Sequence, residues 1–454
     1  MDLKEKKVTV IGLARSGYSA AVLLKSLGCQ VSVTDKSDSE EIVERALKLK
    51  EMGIDAEVGK HTQDFIFGRN LIVTSPGVPD NSNAIIWASE KKIPIISEVE
   101  LAYQLCPAPI IAVTGTNGKS TTTTLIGQIL KDAGKDVIVC GNIGNPFSGE
   151  IPKLKKESIV VLEISSFQLQ RTKEFKPKVA VILNISQNHL DRHDDFQDYE
   201  NAKAKILANQ DASDYAVLNF DDFNVRKLSN TAKSKTLFFS KFSKVKGSFM
   251  RQGKMICAIN SGEEEIVDKD SLLLRGEHNL ENMMAAVIAC RLFDVERDTM
   301  AKTLQAFKGL EHRFEFVSAI EGVDFINDSK ATSVGAAEQA LRSCDKPIIL
   351  IAGGRDKGSD FSAIKELIRK KVKKLVLIGE AKTKIKKAIS NATQIQEAQD
   401  LKDAVDISFK SASPNDVVLF SPMCASFDMF RDFEHRGETY KEIVRKLADE
   451  RNKN

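Results

Sequence analysis

Residues 110–125, I-I-A-V-T-G-T-N-G-K-S-T-T-T-T-L, carry a short run of branched apolar side chains into a loop bounded by two glycines, and then into a threonine-rich helix start. The run 110–113 has the length and branching of a buried strand. Gly115 and Gly118 let the backbone across Thr116 and Asn117 fold tightly, its N–H groups turned inward around an anion at the positive end of the next helix. Lys119 is placed to neutralise β- and γ-phosphates, and Ser120, followed by Thr121, offers a hydroxyl to Mg²⁺. The usual phosphate loop has a glycine six positions before its lysine, where this chain has Val113. An ordinary glycine turn is the alternative; two turn glycines, a lysine and two hydroxyls at one helix start favour the cradle.

A chain of 454 residues has room for about three domains. With 66 basic and 63 acidic residues the net charge is +3, too balanced for a chain held to nucleic acid or anionic lipid by charge alone. M-D-L-K-E-K-K leads directly into an apolar run at 8–11, leaving no room for a signal-peptide core, and no run approaches membrane-spanning length. The seven cysteines are scattered and form no C-x-x-C pair, so neither a disulfide framework nor a zinc site is encoded. A cytoplasmic monomer, without nucleic-acid or membrane partners, is the expectation.

Strands are expected at 8–11 and 31–33, separated by the turn Gly12-Leu-Ala-Arg-Ser-Gly17 and a helix over 20–27, with Asp35 where a ribose hydroxyl would sit. This is half of a dinucleotide-type fold and the starting point for a rival function, an NAD-dependent oxidoreductase. Ala14 weakens that rival, because a Cβ at the second fingerprint position obstructs approach to a pyrophosphate. A strand at 71–74 runs into Ser75-Pro-Gly-Val-Pro79, and three prolines within 93–109 suggest a domain boundary near 98.

Beyond the phosphate loop, strands at 137–139 and 159–162 lead to Gly141-Asn-Ile-Gly144 and to Glu163. A lone acid closing an apolar strand is where nucleotide-binding folds hold Mg²⁺; a chance surface acid is the alternative. After a strand at 179–183 comes N-H-L-D-R-H at 188–193, which by itself reads as a metal cluster or as solvated loop histidines. Tyr199 and Lys203, four apart, share one face of a helix. Between 206 and 274 a strand and a helix are expected, and 283–290 is a helix rich in small apolar residues. Asn279 and Asn282 before it suit either the N6/N7 edge of adenine or helix capping.

Residues 309–314 read as a connector. A third α/β region follows, with strands at 323–326, 348–352, 375–378 and 417–420 and a helix from Val334. The lysine-rich stretch 365–374 reads as a solvated helix face, because Ile364, Leu367, Ile368 and Val372 recur at helical spacing. Alternation of strand and helix throughout predicts an α/β chain of three domains with mainly parallel sheets.

G-T-N-G-K-S-T at 115–121, Glu163 to Gln168, His189 to His193, Lys203, Gly276 to Asn282 and Arg313 occur in the order and at about the spacings of the Mur ligases, and the chain resembles that family along its whole length. The family adds one amino acid at a time to a UDP-linked muramyl peptide precursor, or glutamates to folate. N-D-S-K-A-T at 327–332 and S-P-M-C-A-S-F-D at 421–428 are similar to the members that add D-glutamate to UDP-N-acetylmuramoyl-L-alanine. The resemblance implies a Rossmann-like UDP-binding domain at 1–98, a central P-loop ATPase-like domain at 99–309 and a Rossmann-like amino-acid-binding domain at 310–454. It implies ATP and two Mg²⁺ ions, one near Ser120 and Glu163, the other near His189 and a carbamylated Lys203. Asn279 and Asn282 would read adenine, Arg313 would reach the phosphates, and Asp328 would hold the ribose or phosphate side. D-Glutamate would meet Lys330, Thr332, Lys357, Ser426 and Phe427, with Lys330 also near the γ-phosphate. Arg15, Ser16, Asp35, Lys36 and Gly77, with Asn142, would hold the UDP-muramyl end; Arg15 stands where an apolar residue is expected. A sister ligase, a folylpolyglutamate synthase-like ligase and a non-catalytic ATP switch are the nearer rivals.

Overall fold

The computed structural model describes residues 3–186, 195–259, 262–274, 276–344, 346–356 and 358–452. Three sheets form in sequence. The first contains β1 (Lys7–Ile11), β2 (Gln30–Asp35), β3 (Asp55–Val58), β4 (Leu71–Thr74) and β5 (Ile95–Ser97), all parallel, in the order β3-β2-β1-β4-β5. Val8, Val10 and Val33 pack on one face while Ile11 and Ile72 pack on the other, as a parallel sheet covered on both sides requires. Strand order reverses between β1 and β4, so the loops that follow them, beginning at Gly12 and Ser75, open a crevice at the carboxyl edge.

The second sheet contains β6 (Ile110–Thr114), β7 (Val137–Gly141), β8 (Ile159–Glu163), β9 (Val179–Ile182), β10 (Tyr215–Asn219), β11 (Lys235–Ser240), β12 (Gly247–Arg251), β13 (Lys254–Ala258) and β14 (Glu264–Asp268). Its order is β14-β13-β12-β11-β10-β9-β6-β8-β7. The phosphate-loop strand β6 therefore lies between β8 and β9, in a register that sets Val113 opposite Glu163 and Thr114 opposite Ile182. The helices Lys119–Asp132 and Glu277–Arg291 share one core, where Ile126, Ile129 and Leu130 meet Met284 and Ile288.

The stretch 206–274 departs from the expected strand and helix. It holds five strands, the last three joined antiparallel. β14 is short and charged and shows no apolar run, whereas β13, with its apolar run Met255 to Ala258, follows β12 after only two turn residues. The β12–β13 turn rests on Gln252 and Gly253, with φ of 50° and 80°, the conformation of a two-residue hairpin loop.

The third sheet contains β15 (Glu315–Ile320), β16 (Val323–Asn327), β17 (Ile348–Gly353), β18 (Val372–Ile378), β19 (Gln394–Glu397) and β20 (Val417–Phe420), in the order β15-β16-β20-β17-β18-β19 with only β15 antiparallel. The helical reading of 365–374 is corrected here: the helix Lys365–Lys371 stops and Val372 opens β18. Val372 pairs with Ile348, and sheet pairing of a β-branched residue outweighs its helical spacing. The chain divides into two compact units, Met1–Phe307 with the first two sheets and Lys308–Asn454 with the third.

Within the first unit the helix Glu98–Leu105 carries the chain from the first sheet to the second, and two buried carboxylates fasten it. Glu98 accepts from Ser148 N and Oγ at 2.7 and 2.6 Å, and burial raises its pKa. Glu100 accepts the consecutive N–H groups of Lys173, Glu174 and Phe175 at 2.8, 2.9 and 3.1 Å. Glu100→Ala removes the acceptor of three backbone donors, of which that of Phe175 is buried, and is expected to lower the stability of this unit by about 2 kcal/mol. Glu100→Gln, which keeps one acceptor oxygen, is expected to lose less. Denaturant unfolding of the two variants measures the difference, and equal loss would refute the clamp.

Candidate active site

Gly115 and Gly118 adopt φ of 154° and 82°, and the phosphate loop is held from outside as well as by its own glycines. Thr116 N donates to the Asn184 carbonyl at 2.9 Å, and Asn117 N donates to Asn184 Oδ1 at 2.8 Å. The Thr116 hydroxyl lies 3.1 Å from the Tyr199 hydroxyl and accepts from Ser186 N at 3.0 Å. This corrects one expectation: two of the loop's N–H groups serve Asn184, so an anion is left those at the helix start, at Ser120 and Thr121. Asn184 escaped the sequence reading because an asparagine after an apolar strand is an unremarkable turn residue.

Two lysines converge on one oxygen. Lys119 Nζ donates to the carbonyls of Gly115 and Thr116, each at 2.9 Å, and Lys203 Nζ donates to the same Gly115 carbonyl at 2.9 Å. Lys203 is buried, with its nitrogen 4.7 Å from the Tyr199 ring centre. Burial first, and the charge of Lys119 second, push its pKa well below the usual lysine range. The expected pairing of Tyr199 and Lys203 on one helix face holds in Phe196–Ala204.

Asn279 and Asn282 are buried inside Glu277–Arg291, and Asn282 Nδ2 donates to Asn279 Oδ1 at 3.2 Å. Neither caps the helix, since its N-cap is Gly276. A Cβ on Gly118 would strike the Asn282 amide, so glycine there lets this helix close on the loop.

Glu163 is buried at the end of β8. Its Oε1 accepts from Asn142 Nδ2 at 2.7 Å, while Oε2, also buried, has no partner among the described residues. A carboxylate oxygen left bare, with the buried Ser120 on the neighbouring helix start, is an all-oxygen set that fits a hard cation such as Mg²⁺. His189 and Lys357 lie outside the described residues.

A cavity of about 460 Å³ opens at the carboxyl edge of the first sheet, lined by Arg15, Ser16, Asp35, Lys36, Gly77 and Asn142 together. His61, Ser82 and Gln168 also line it. The Arg15 guanidinium donates to the Gly144 carbonyl, which ties the first turn to the second sheet's G-N-I-G loop. Asp35 accepts from Leu13 N at 2.6 Å and from Ser37 N at 2.8 Å.

In the second unit, β16, β20 and β17 are neighbours, so the loops after them share one sheet edge. Arg436, fully buried and unforeseen in the sequence, joins two of these loops: Nε and Nη2 donate to Ser329 Oγ and O at 3.0 and 2.8 Å, and Nη1 donates to the Cys424 carbonyl at 3.1 Å. Burial lowers its pKa to about 10. Lys330 extends toward the Phe433 ring, 5.6 Å from its centre; Ser426 is buried, Thr332 half-buried and Phe427 exposed. Arg313 is exposed between His312 and Phe314, whose φ of 62° and 46° mark backbone strain of the kind that gathers at functional loops. Asp328 accepts from Phe314 N at 3.1 Å and from Ser421 Oγ at 2.8 Å, and burial pushes its pKa up to about 7.

A glycine loop and helix start on a mainly parallel sheet, preceded in sequence by a dinucleotide-type sheet and followed by a further α/β unit, define a class of nucleotide-dependent enzyme. Residues 6–97 match the Mur ligase MurD-like N-terminal domain, 113–290 the Mur ligase middle domain, and 312–424 the Mur ligase glutamate ligase domain; the chain belongs to the Mur ligase family. It is 43% identical over 452 residues to a UDP-N-acetylmuramoylalanine--D-glutamate ligase of Thermoanaerobacter sp. (strain X514), covering 98% of this chain and 100% of that one. A ligase of the same name from Geotalea daltonii is 42% identical over 449 residues, with 99% of each chain covered. Among solved structures the fold is similar to that of a UDP-N-acetylmuramate-alanine ligase from Thermotoga maritima (TM-score 0.56, 18% identity, 98% and 100% covered). It is also similar to a MurF ligase from Thermotoga maritima in complex with ADP (TM-score 0.57, 18% identity, 99% of each covered). Among the described residues no helix is long and apolar enough to cross a membrane.

The pKa of Asp328 rises from 3.8 to about 7 on folding. Between those values the folded chain binds more protons than the unfolded one, so this group's contribution to stability falls as pH rises through the window and is level above it. Asp328→Asn is expected to remove that slope and to be more stable than the parent at pH 8, as measured by calorimetry across the range. Parallel stability curves would refute burial as the cause.

Proposed function

We propose that the chain is an ATP-dependent ligase that joins D-glutamate to UDP-N-acetylmuramoyl-L-alanine by an amide bond, releasing ADP and phosphate, in the synthesis of peptidoglycan precursor. The observation that carries this reading is the convergence of Lys119 and Lys203 on the phosphate loop beside the bare oxygen of Glu163. The full-length likeness to relatives named for that reaction supports it.

A carboxylate is a poor acyl donor, because its carbon is weakly electrophilic and oxide is a poor leaving group. Transfer of the γ-phosphoryl group of ATP to the L-alanyl carboxylate makes an acyl phosphate; the amine of D-glutamate then attacks the carbonyl carbon, the C–N bond forms, and phosphate leaves with the C–O pair. Two anions have to meet first, which requires fixed positive charge. Lys119 would exchange its loop carbonyls for the β- and γ-phosphates, with N–H groups from the helix start at Ser120 and Thr121, while Gly115, Thr116, Asn117 and Gly118 shape the loop around them. Mg²⁺, held by Ser120 and Glu163 and in a second position by His189 and Lys203, would neutralise the charge of the transferring group. Asn279 and Asn282 would receive adenine, with Arg313 and Asp328 toward the phosphates and ribose. In residues 1–98, Arg15, Ser16, Asp35, Lys36 and Gly77 would hold the UDP end with Asn142 from 99–309. In 310–454, Lys330, Thr332, Lys357, Ser426 and Phe427 would hold the two carboxylates of D-glutamate, a ligand that needs several donors.

Lys203 as an ammonium would repel a metal, and it is the uncharged amine that burial and Lys119 favour. That amine can add to CO₂, forming an N–C bond and releasing a proton, to give a carbamate with oxygen ligands. Protein equilibrated with ¹³C-bicarbonate is expected to show a carbamate carbon that Lys203→Ala loses, and a short carboxylate is expected to restore part of that variant's activity. A Lys203→Ala enzyme with full activity would refute the carbamate.

Phosphate release measured with UDP-N-acetylmuramoyl-L-alanine, ATP and a panel of D- and L-amino acids tests the whole reading. Only D-glutamate is expected to support turnover; equal rates with L-lysine or L-alanine would point to a sister ligase. Lys119→Ala is expected to lower kcat by about 100-fold or more with an unchanged unfolding temperature.

A further inference from the structure

Resting on the reading that a uridine nucleotide fills the cavity of about 460 Å³, the two ends of that cavity have different chemistry. At one end the glycine turn leads into the start of the helix Arg15–Ser26, and Arg15 adds positive charge; a diphosphate belongs there. At the other end β2 and β3 run out, and Asp35, Lys36 and His61 form the wall. This is the end left for the base.

His61 is fixed in one tautomer by its neighbours. Its Nδ1 lies 2.9 Å from Thr34 Oγ1. That hydroxyl has a single hydrogen, and two pure acceptors compete for it: Glu57 Oε1 at 2.9 Å and the Lys60 carbonyl at 3.2 Å. The carboxylate is the stronger acceptor, and Thr62 N, donating to the same Oε1 at 2.9 Å, holds it in place. With the hydroxyl hydrogen turned to either oxygen, a hydroxyl lone pair faces Nδ1, and Nδ1 carries the ring proton. Burial outweighs the pull of Asp35 and Glu57 and lowers the pKa of His61, so the ring is neutral. The neutral ring then leaves Nε2 as a bare acceptor, without a partner among the described residues. Asp35, the other acceptor on this wall, already has one backbone N–H on each oxygen.

We propose that His61 reads the base, its Nε2 accepting the N3–H of uracil, so that the cavity selects uridine over cytidine nucleotides. Cytosine presents a lone pair at N3, and acceptor would face acceptor in a partly desolvated wall.

Calorimetric titration of the full chain with UDP and with CDP tests this. The parent is expected to prefer UDP by about 10-fold or more, the value of one good hydrogen bond against a mismatched one. His61→Ala is expected to lose most of that preference through weaker UDP binding, with CDP little changed. His61→Gln, which restores an acceptor, is expected to recover part of it. Thr34→Val keeps the branched shape in β2 but frees the tautomer, and is expected to reduce the preference partially. ADP binding, which uses the phosphate loop, reports that each variant is folded. A UDP preference that survives His61→Ala in a chain that still binds ADP would overturn the assignment to His61 while leaving the cavity reading in place. A parent chain that binds neither UDP nor UDP-N-acetylmuramoyl-L-alanine would overturn both.

Discussion

Two lysine nitrogens on one carbonyl oxygen are an unfavourable arrangement while both are charged, and the first unit is built to hold them there. Lys119 is fixed by its position as first residue of its helix, and Lys203 by burial beside Tyr199. The Gly115 carbonyl they share is aimed by a φ that a side chain would resist. Repulsion between the lysines is relieved when either gives up its charge or meets an anion. Preorganised charge of this kind requires no rearrangement of solvent at the moment of reaction.

Strand order then decides what surrounds that charge. Because β6 lies between β8 and β9, Glu163 emerges on one side of the loop and Asn184 on the other. The acid contributes an oxygen without a partner among the described residues, and the amide a clamp. Asn142 links this site to the cavity in the same unit, since it donates to Glu163 while lining the pocket that Asp35 and Arg15 also line. The helix Glu98–Leu105, fastened at both of its buried carboxylates, keeps that pocket's two walls in register.

The second unit shows the same economy in a different form. A buried guanidinium with neutral oxygen partners, Arg436, holds the N-D-S-K and S-P-M-C loops by three hydrogen bonds. Its burial is tolerable because guanidinium is weakly hydrated and all its bonds are planar and directed. Asp328 is engaged by Ser421 and Phe314 N, so it shapes the loop that carries Lys330.

Much of this could be read from residue order. Alternating apolar runs and glycine turns announced most of the central parallel strands, β10 and β11 being merged into one expected strand, because a strand buried on both faces is branched and apolar along most of its length. Glycine, lysine and hydroxyl spacing likewise announced the glycine loop and the helix start after it, a local device whose parts are adjacent in the chain. The antiparallel strands β12 to β14 were hidden, since they are short, are joined by tight turns and end in the largely charged β14, and Val372 was misplaced because its partner Ile348 lies 24 positions earlier. Asn184, Arg436 and His61 were also out of reach. Their importance comes from the atoms they meet, at Thr116, Ser329 and Thr34, and those meetings are created by strand order and helix packing. The chain by itself determined the parallel sheets and the glycine loop with its helix start, which depend on backbone freedom and side-chain branching within a few residues. Only the tertiary structure decided which polar groups are buried, which protons they carry and which oxygen is left bare, because desolvation and hydrogen-bond partners are properties of a packed neighbourhood.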